Sequence, residues 1–336
     1  MTLSTIRKIV FVRRGKSNRL SKKRFLQGLI VLVLWALWSV FPSEIYKQSQ
    51  STEDLELVNA TEKISSEVVR VCTWNVRNYS VAGRRINGKY VQAPKPEVEK
   101  KHLRNVLKKI NPDVLMIQEM GDIEFLRELQ ADLARENLKY PFIALTRYDA
   151  PSRLAILSKI KPVQIFDCCD IKFKFRGDNR FSPRGTLGMA FDSNGVRWYS
   201  FATHLKSAQG ARKSDENFAP FRFAEMKAID ARIVKEIGKD NPIIMGGDFN
   251  QEPNSQLLKN LKRLKLQLLE QSDKWGKSHS YFWSKKNVYF MYDFFLVSDK
   301  MQNYISNKAT IFDAGFIASD HRPIYVDLDF RKKTQN

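Results

Sequence analysis

Asp248 and Asn250 stand at the end of a short apolar segment in the stretch "IIMGGDFNQEP", residues 243–253. Side chains two positions apart on a β-strand point to the same side, so a carboxylate and a carboxamide would lie together there. An amide donor in such a place can stabilise negative charge that develops on a phosphoryl oxygen. The structural alternative is a helix N-cap at Asp248 with an Asx-turn at Asn250.

Polar side chains also end, or lie beside, other apolar segments of the chain. They are Asn75, Glu119, His204, Asp293, Asp320 and His321. Taken one at a time, they have ordinary explanations: a turn cap, an ion pair with a lysine, or a hydrogen-bonded core histidine. Because unpaired carboxylates beside apolar strands are unfavourable, the whole set predicts that these strands share one polar edge.

The residue types indicate the chemistry of such an edge. Asn75, Glu119 and Asp320 supply oxygen atoms and no thiolate, which suits Mg²⁺ and also Mn²⁺ or Ca²⁺. Two histidines with carboxylate neighbours can exchange protons near neutral pH. A hard cation beside an acid–base pair and an amide donor is the equipment for cleaving a phosphate ester.

The segments that carry these residues alternate between strand and helix patterns. Apolar residues recur at helical spacing in three segments, 97–110, 123–137 and 221–238. Between them lie β-branched, apolar strand segments such as 68–76 and 196–205, and the turn "DSNG" joins two neighbouring strands. Tight hairpins among helices predict a mixed α+β fold that is largely antiparallel, and a purely parallel βαβ arrangement fits less well.

The first 66 residues follow a different pattern. Residues 25–41, "FLQGLIVLVLWALWSVF", are almost wholly apolar and follow a basic arm at 1–24. The positive-inside rule then predicts a single-pass membrane protein with a transmembrane signal anchor, a cytoplasmic N-terminus, a polar linker at 42–66 and an extracytoplasmic catalytic domain at 67–336. A cleaved signal peptide, which would give a secreted protein, is the alternative, although no small-x-small cleavage site follows.

Composition limits the partners. The formal net charge of +21 favours anionic partners, whether nucleic acid, phosphorylated small molecules or acidic lipid surfaces. The chain has three cysteines, Cys72, Cys168 and Cys169, which lack zinc-site spacing, and we expect no disulfide framework.

Six short motifs occur in a fixed order along the chain: "TWNVRN", "LMIQE", "FATHLKS", "GGDFNQEP", "YDFFLVS" and "SDHRP". With this order and spacing the chain resembles the endonuclease/exonuclease/phosphatase superfamily over roughly residues 68–330, and within it the pancreatic-type DNases. The superfamily also includes abasic-site endonucleases, bacterial sphingomyelinases and phosphoinositide phosphatases. The resemblance implies a four-layer α/β/β/α sandwich of two packed, mostly antiparallel sheets with outer helices, and an active site at one edge.

The resemblance also implies roles for the metal-binding and phosphate-binding residues. Glu119 would be the main metal ligand, with Asn75 in the same cluster and Asp320 completing the site. Asp248 would orient or deprotonate the attacking water. Asn250 would hold the scissile phosphate.

Two histidines would complete the catalytic set. His321 would belong to an acid–base pair oriented by Asp293, and His204 would lie near the leaving group or a phosphate oxygen. Which histidine is the acid and which the base stays open. Pancreatic-type DNases carry a glutamate partner for the second histidine, but residues 151–152 are Pro-Ser here, so the sequence offers His204 no obvious carboxylate.

Three arginines could bind substrate phosphate in bidentate geometry: Arg77, Arg153 and Arg184. Arg77 stands where pancreatic-type DNases carry a basic residue and abasic-site endonucleases usually carry an acid. Arg153 and Arg184 precede strands, as phosphate-contacting arginines do in the nuclease subunit of cytolethal distending toxins. Solvated loop charges are the alternative for these two.

Three functions compete on this basis. The first is a Mg²⁺-dependent nuclease that cleaves DNA, acts as a monomer and is held at the membrane by its N-terminal helix. The second is a phosphatase or phosphodiesterase that acts on phospholipid headgroups. The third is a catalytically silent binding module, which the complete set of polar residues disfavours.

Overall fold

The computed structural model describes residues 67–147, 152–208, 218–253 and 263–331. They belong to a compact unit that covers Ile64–Asn336. The strands are β1 (Val68–Tyr79), β2 (Ala82–Ile86), β3 (Lys89–Ala93), β4 (Val114–Met120), β5 (Phe142–Leu145), β6 (Arg153–Ser158), β7 (Gln164–Cys168), β8 (Lys172–Phe175), β9 (Asp178–Phe181), β10 (Thr186–Ser193), β11 (Val196–His204), β12 (Ile243–Asp248), β13 (Gln267–Leu268), β14 (Gln271–Ser272), β15 (Tyr281–Trp283), β16 (Val288–Phe290), β17 (Asp293–Val297), β18 (Ala309–Ile311) and β19 (Ile324–Asp329). The helices are α1 (Glu97–Ile110), α2 (Ile123–Arg135), α3 (Ala219–Ile237) and the short α4 (Asp299–Gln302).

Two large sheets contain most of the strands. The first has seven strands in the order β14-β18-β19-β1-β4-β6-β5, and the second has six in the order β13-β17-β12-β11-β10-β7. Neighbouring strands are antiparallel except for the pairs β1–β4, β14–β18 and β11–β12. Three further hairpins, β2–β3, β8–β9 and β15–β16, stand apart as two-stranded sheets.

Hydrophobic packing arranges the two sheets and the long helices in four layers. Alternate residues of the central strands, such as Val71 and Met116 in the first sheet and Ala202 and Phe295 in the second, meet in one core between the sheets. The opposite face of the first sheet packs against α1 and α2. The outer face of the second sheet packs against α3. The four-layer sandwich expected from the sequence is therefore confirmed.

Helix α1 shows why the helical pattern was readable in the sequence. Its buried side chains include Leu103, Leu107 and Ile110 at helical spacing, so one stripe faces the first sheet. Acidic residues occupy its first turn and lysines its last, which complements the helix dipole. The helix ends at Asn111, whose left-handed backbone conformation closes the final turn.

The inward-facing rows of four strands end in polar residues at the same edge of the sandwich. In β1 the row of Val69 and Val71 continues to Asn75, because side chains alternate between the two faces of a strand. By the same alternation the inner rows of β11, β12 and β17 contain His204, Asp248 and Asp293. The register then sets Asp248 directly beside His204 on one side and beside Asp293 on the other.

Two adjacent glycines allow β12 to reach this edge. A Cβ at Gly246 would lie 2.6 Å from the ring of Phe295, in the core between the sheets. A Cβ at Gly247 would lie 1.9 Å from the carbonyl oxygen of Thr203 in the neighbouring strand. Any larger residue would therefore push β12 away from its neighbours just before Asp248.

The membrane location expected from the sequence is wrong on the evidence of this structure. Within the described ranges, no helix combines the length and the apolar character needed to cross a bilayer. The basic arm at 1–24, the apolar segment at 25–41 and the linker at 42–66 lie outside the described residues. Cys72, Cys168 and Cys169 are all free thiols, as expected.

Candidate active site

A buried histidine–carboxylate cluster, formed by His204, Asp248, Asp293 and His321, occupies this polar edge. His321 Nδ1 lies 2.7 Å from Asp293 Oδ2, and the outer nitrogen of the same ring, Nε2, lies 3.8 Å from Asp248 Oδ2. His204 Nε2 approaches the same Asp248 oxygen at 3.4 Å. Asp248 Oδ2 therefore faces both histidines. Asp293, which pairs with Asp248 on the neighbouring strand, holds His321.

Ser280 fixes the orientation of Asp293. Its hydroxyl donates to Asp293 Oδ2 at 2.7 Å, and the backbone N–H of Asp293 donates back to the Ser280 oxygen at 2.8 Å. The ring of Tyr281 packs on the ring of His321, with 4.6 Å between centroids. Neither residue was predictable from the sequence, because a serine and a tyrosine beside an apolar segment give no signal until the register with the loop of His321 is known.

Burial and charge set the protonation of this cluster. Burial, together with the charge of Asp293, raises the pKa of Asp248 to about 7 against the opposing charge of His321. Burial lowers the pKa of His321, but the charges of Asp293 and Asp248 outweigh that effect and raise it to about 10. At neutral pH the cluster thus pairs a carboxyl that can accept a proton with a histidine that already carries one.

His204 has the opposite electrostatic environment. Only 2% of the residue is exposed, and burial, together with the charge of Arg184, lowers its pKa well below 6.5. A histidine held neutral at physiological pH is a poor acid. The structure also supplies the carboxylate partner that the sequence did not reveal, because that partner is Asp248.

A second group, which we call the carboxylate–amide cluster, adjoins the first. It contains Asn75 and Glu119, which contact each other, and Asp320, which adjoins Arg77. Asn75 Nδ2 donates to Glu119 Oε1 at 3.1 Å and to Asp248 Oδ2 at 2.9 Å, so this one amide joins the two clusters. The other oxygen of Glu119 accepts the backbone N–H of Asn78 at 2.9 Å.

Glu119 reaches this position through a β-bulge. The pairing of β4 with both of its neighbours shifts register between Gln118 and Met120, and Glu119 has a backbone φ of 64°. Simple alternation would turn its side chain toward the helices, away from Asn75. A bulge redirects a side chain in this way, and a left-handed backbone at a non-glycine residue is strain of the kind found at functional sites.

The donor set of the carboxylate–amide cluster fits a hard divalent cation. All three side chains offer oxygen atoms, and Glu119 and Asp320 remain partly exposed. Among the described residues, no lysine or arginine nitrogen lies within 4.0 Å of the Glu119 carboxylate. A partly buried carboxylate oriented only by N–H donors is well placed to bind a cation.

Asp248, Asp293 and His321 also place potential metal-ligating atoms within 4.8 Å of one another. We assign this group to proton transfer, because the inner nitrogen of His321 is bound to Asp293 and the raised pKa keeps the ring protonated. A positively charged imidazole repels a cation and offers it no lone pair. Glu119 and Asn75 are the better metal ligands on these grounds.

Arg77 links Asp320 to Asn75 at the rim of the carboxylate–amide cluster. Its backbone N–H donates to Asn75 Oδ1 at 3.0 Å, and its Nε lies 3.7 Å from Asp320 Oδ2. The side chain is 53% exposed, so the guanidinium reaches solvent beside Asp320. Lys95, which our sequence analysis missed, lies buried beneath it and donates to the carbonyl oxygens of Arg77 and Ala318. It thereby ties β1 to the loop that carries Asp320.

The remaining predicted phosphate ligands lie on the other strands of this edge. Asn250 Nδ2 and Arg184 Nη1 both donate to the carbonyl oxygen of Leu205, at 3.1 Å and 3.3 Å. Asn250 adopts a left-handed φ of 49° and donates its backbone N–H to Asp248 Oδ1 at 2.8 Å. Arg153 begins β6 and pairs in register with Met120, one residue after Glu119.

This chain is similar to known proteins in sequence and in fold. The model of the Endonuclease/Exonuclease/phosphatase family matches residues 72–321. Nocturnin of Drosophila melanogaster is 23% identical over 202 residues, which are 56% of this chain and 30% of that protein, so the chain spans less than a third of this relative.

Two solved structures share the fold. One is a mutant of beta toxin from Staphylococcus aureus with bound magnesium ions, with 18% identity, a TM-score of 0.55 and coverage of 78% of this chain and 99% of that one. The other is sphingomyelinase C from Streptomyces griseocarneus, with 16% identity, a TM-score of 0.53 and coverage of 78% and 99%. This chain belongs to the endonuclease/exonuclease/phosphatase family, whose members are metal-dependent phosphoric ester hydrolases.

Proposed function

We propose that this protein is a Mg²⁺-dependent phosphodiesterase that cleaves DNA internally, as an endonuclease. The observation that carries the proposal is the unbroken series of contacts from Glu119 through Asn75 and Asp248 to His321. It combines cation-binding oxygens, a base near neutral pH and a protonated histidine in one buried edge. Metal-assisted hydrolysis of a phosphodiester uses these three elements.

The chain's own residues divide the work as follows. Asp248, with a pKa of about 7, orients the attacking water and accepts its proton. His321 carries a proton at neutral pH and gives it to the leaving oxygen as the P–O bond breaks, while Asp293 holds the ring in place. His204 stays neutral and keeps Asp248 oriented from the other side. The amide of Asn250 steadies the scissile phosphate.

Glu119, Asn75 and Asp320 would hold the metal. A bound divalent cation supplies charge stabilisation to the phosphoryl oxygens in reactions of this kind. Magnesium is the choice because the donors are all oxygen and because beta toxin, which has the same fold, has been solved with bound magnesium ions. Mn²⁺ and Ca²⁺ suit the same donors.

Charge favours DNA as the substrate. The net charge is +21, and the partly exposed arginines Arg77, Arg153 and Arg184 lie on the segments that form the active-site edge. A surface of this sign attracts a polyanion and raises its local concentration at the cleft. We assign the three arginines to binding phosphates on either side of the bond that is cut.

A plasmid-nicking assay tests the proposal. The full chain, with Mg²⁺, should convert supercoiled plasmid to the nicked form, and EDTA or Glu119→Gln should abolish the conversion. Glu124→Gln is the matched control, because Glu124 is an exposed glutamate in the first turn of α2 and should behave as the native chain does. Absence of nicking by the native chain would refute the proposal.

The alternative is hydrolysis of phospholipid headgroups, which the shared fold with sphingomyelinase C favours. Sphingomyelin vesicles with the same metal, chelator and variants form the second arm of the experiment. Release of phosphocholine without plasmid nicking would select this alternative. Metal-dependent turnover in either arm would eliminate the silent binding module.

A further inference from the structure

Two hairpins adjoin the active site and contain no acidic residue. The Arg85 hairpin is the pair β2–β3 with its flanking residues, 80–93, and the Lys285 hairpin is the pair β15–β16 with its flanking residues, 280–292. Neither segment contains an aspartate or a glutamate. The first carries Arg84, Arg85 and Lys89, and the second carries Lys285 and Lys286.

The Arg85 hairpin is attached at the metal-ligand end of the site. It follows directly on Asn78, whose N–H orients Glu119, and the Arg84 guanidinium donates to the carbonyl oxygen of Asn78 at 2.6 Å. At its other end the chain runs into the buried Lys95, which bonds to the carbonyl oxygen of Arg77 at 3.1 Å. Both ends of this hairpin are therefore fixed beside Glu119 and Arg77.

The Lys285 hairpin is attached beside the acid–base residues. Ser280 holds Asp293, the Tyr281 ring covers His321, and the N–H of Phe282 donates to the carbonyl oxygen of Asp320 at 2.9 Å. Both hairpins also contact the segment of residues 318–321, through the bonds Lys95–Ala318 and Phe282–Asp320. A polymer that crosses the catalytic residues thus passes close to both hairpins.

The exposed surfaces of both hairpins combine rings with cations. Tyr90 is 78% exposed and pairs in register with Arg85. On the other hairpin Tyr289 is 46% exposed, and Lys286 Nζ lies 4.4 Å from the centre of the Trp283 ring. Aromatic faces beside positive charges match the alternation of bases and phosphates along a nucleic-acid strand.

The tips of the hairpins distinguish this surface from a membrane-inserting one. The turn of the Arg85 hairpin is Asn87-Gly88, and that of the Lys285 hairpin is residues 284–287, "SKKN"; all of these residues are exposed. A segment that enters a bilayer needs apolar residues at its tip, because charged groups are unfavourable in hydrocarbon. Polar and basic tips fit a polyanion instead.

We infer that the two hairpins bind a nucleic-acid strand next to the scissile phosphate, so a polymer is preferred to a small phosphodiester. The inference rests on the proposed nuclease function and adds to it the surface that binds the strand. Small phosphodiesters would reach the catalytic residues without touching either hairpin.

The test compares a DNA oligonucleotide of about 20 nucleotides with bis(p-nitrophenyl) phosphate, a small diester without bases. The variants in the full chain are Arg85→Ala with Lys89→Ala on one hairpin and Lys285→Ala with Lys286→Ala on the other; all four residues are exposed. The matched control is Lys172→Ala with Lys174→Ala, two exposed lysines of the separate β8–β9 hairpin, whose sequence also contains Asp178.

Each hairpin variant should reduce kcat/KM for the oligonucleotide about tenfold, and at least five times more than for the small diester. The slope of log kcat/KM against the logarithm of the salt concentration should become less steep by about 1 for each phosphate contact removed. The lysine control should leave both substrates within about twofold of the native chain, because scattered surface charges contribute little.

Equal losses on the two substrates, or no loss on the oligonucleotide, would overturn the inference. The proposed function would still stand in that case, provided that the native chain cleaves DNA. If the hairpin variants instead lost only the hydrolysis of sphingomyelin vesicles, the surface would be a lipid-binding one and the inference would be wrong. A native chain that cleaves the small diester but no DNA would refute both.

Discussion

The two halves of the active site are built in opposite ways. The histidine–carboxylate cluster is buried and held by side-chain hydrogen bonds, such as those from Ser280 and His321 to Asp293. In the carboxylate–amide cluster, Glu119 and Asp320 are partly exposed and Glu119 is oriented by a strained backbone. The difference fits the tasks that we propose for them, because proton transfer needs pKa values shifted by burial, whereas a cation must enter from solvent.

The largest effect should come from the exposed half. We expect Glu119→Gln to lower metal-dependent turnover by about 10³-fold, because a bound cation contributes several kcal/mol of charge stabilisation. The thermal midpoint without metal should change little, since no described ion pair is broken. Isothermal titration with Mg²⁺ and thermal melts with and without the ion measure both. If the Glu119→Gln variant stayed active and still bound Mg²⁺, the metal would have to be bound by other residues.

Asp293→Asn should act on the buried half and change its pH profile. In the native chain, activity should rise with pH as Asp248 loses its proton near 7 and fall as His321 loses its proton near 10. Removing the Asp293 charge lowers the pKa of His321, so the falling limb should move to lower pH and the maximal rate should drop about 10²-fold. A reduced rate with an unmoved falling limb would show that Asp293 does not control His321.

Ser280→Ala should have a smaller effect of the same kind. It leaves Asp293 with one hydrogen bond fewer in a buried site, and an unsatisfied polar group of this sort costs about 1–3 kcal/mol. We expect kcat to fall about tenfold with KM little changed, and Ser280→Thr to restore most of the rate. An equal loss in the threonine variant would mean that packing and not the hydroxyl matters.

The smallest effect should appear in stability. A histidine whose folded pKa lies below 6.5 stabilises the fold above that pH and loses the contribution as pH falls, because only the unfolded chain takes up the proton. When the pH falls from about 7.5 to about 5.5, the native chain should therefore lose about 1 kcal/mol more unfolding free energy than the His204→Gln variant loses.

Urea unfolding at the two pH values gives this difference directly. His102→Gln, on helix α1, is the matched histidine substitution outside the active site. A pH-independent difference for His204→Gln would indicate that His204 is not held neutral in the fold.

Much of this architecture was predictable because it depends on local periodicity. Helix α1 spans the same residues, 97–110, that the apolar spacing predicted, and the strand segments ending in Asn75 and Asp248 were recognisable by their buried runs. The family was also predictable from six short motifs that occur in a fixed order. The family match over residues 72–321 confirms that prediction. The membrane location was not, and the structure gives it no support.

The amino-acid sequence by itself determined which chemical groups stand at the strand ends, because side-chain alternation and strand length are local properties. Only the tertiary structure decided how those groups pair: that Asp248 serves both histidines, that a bulge turns Glu119 toward Asn75, and that Ser280 holds Asp293. The physical reason is register. Asn75 and Asp248 are separated by 173 positions in the chain, and their contact depends on how two sheets pack, which no local pattern specifies.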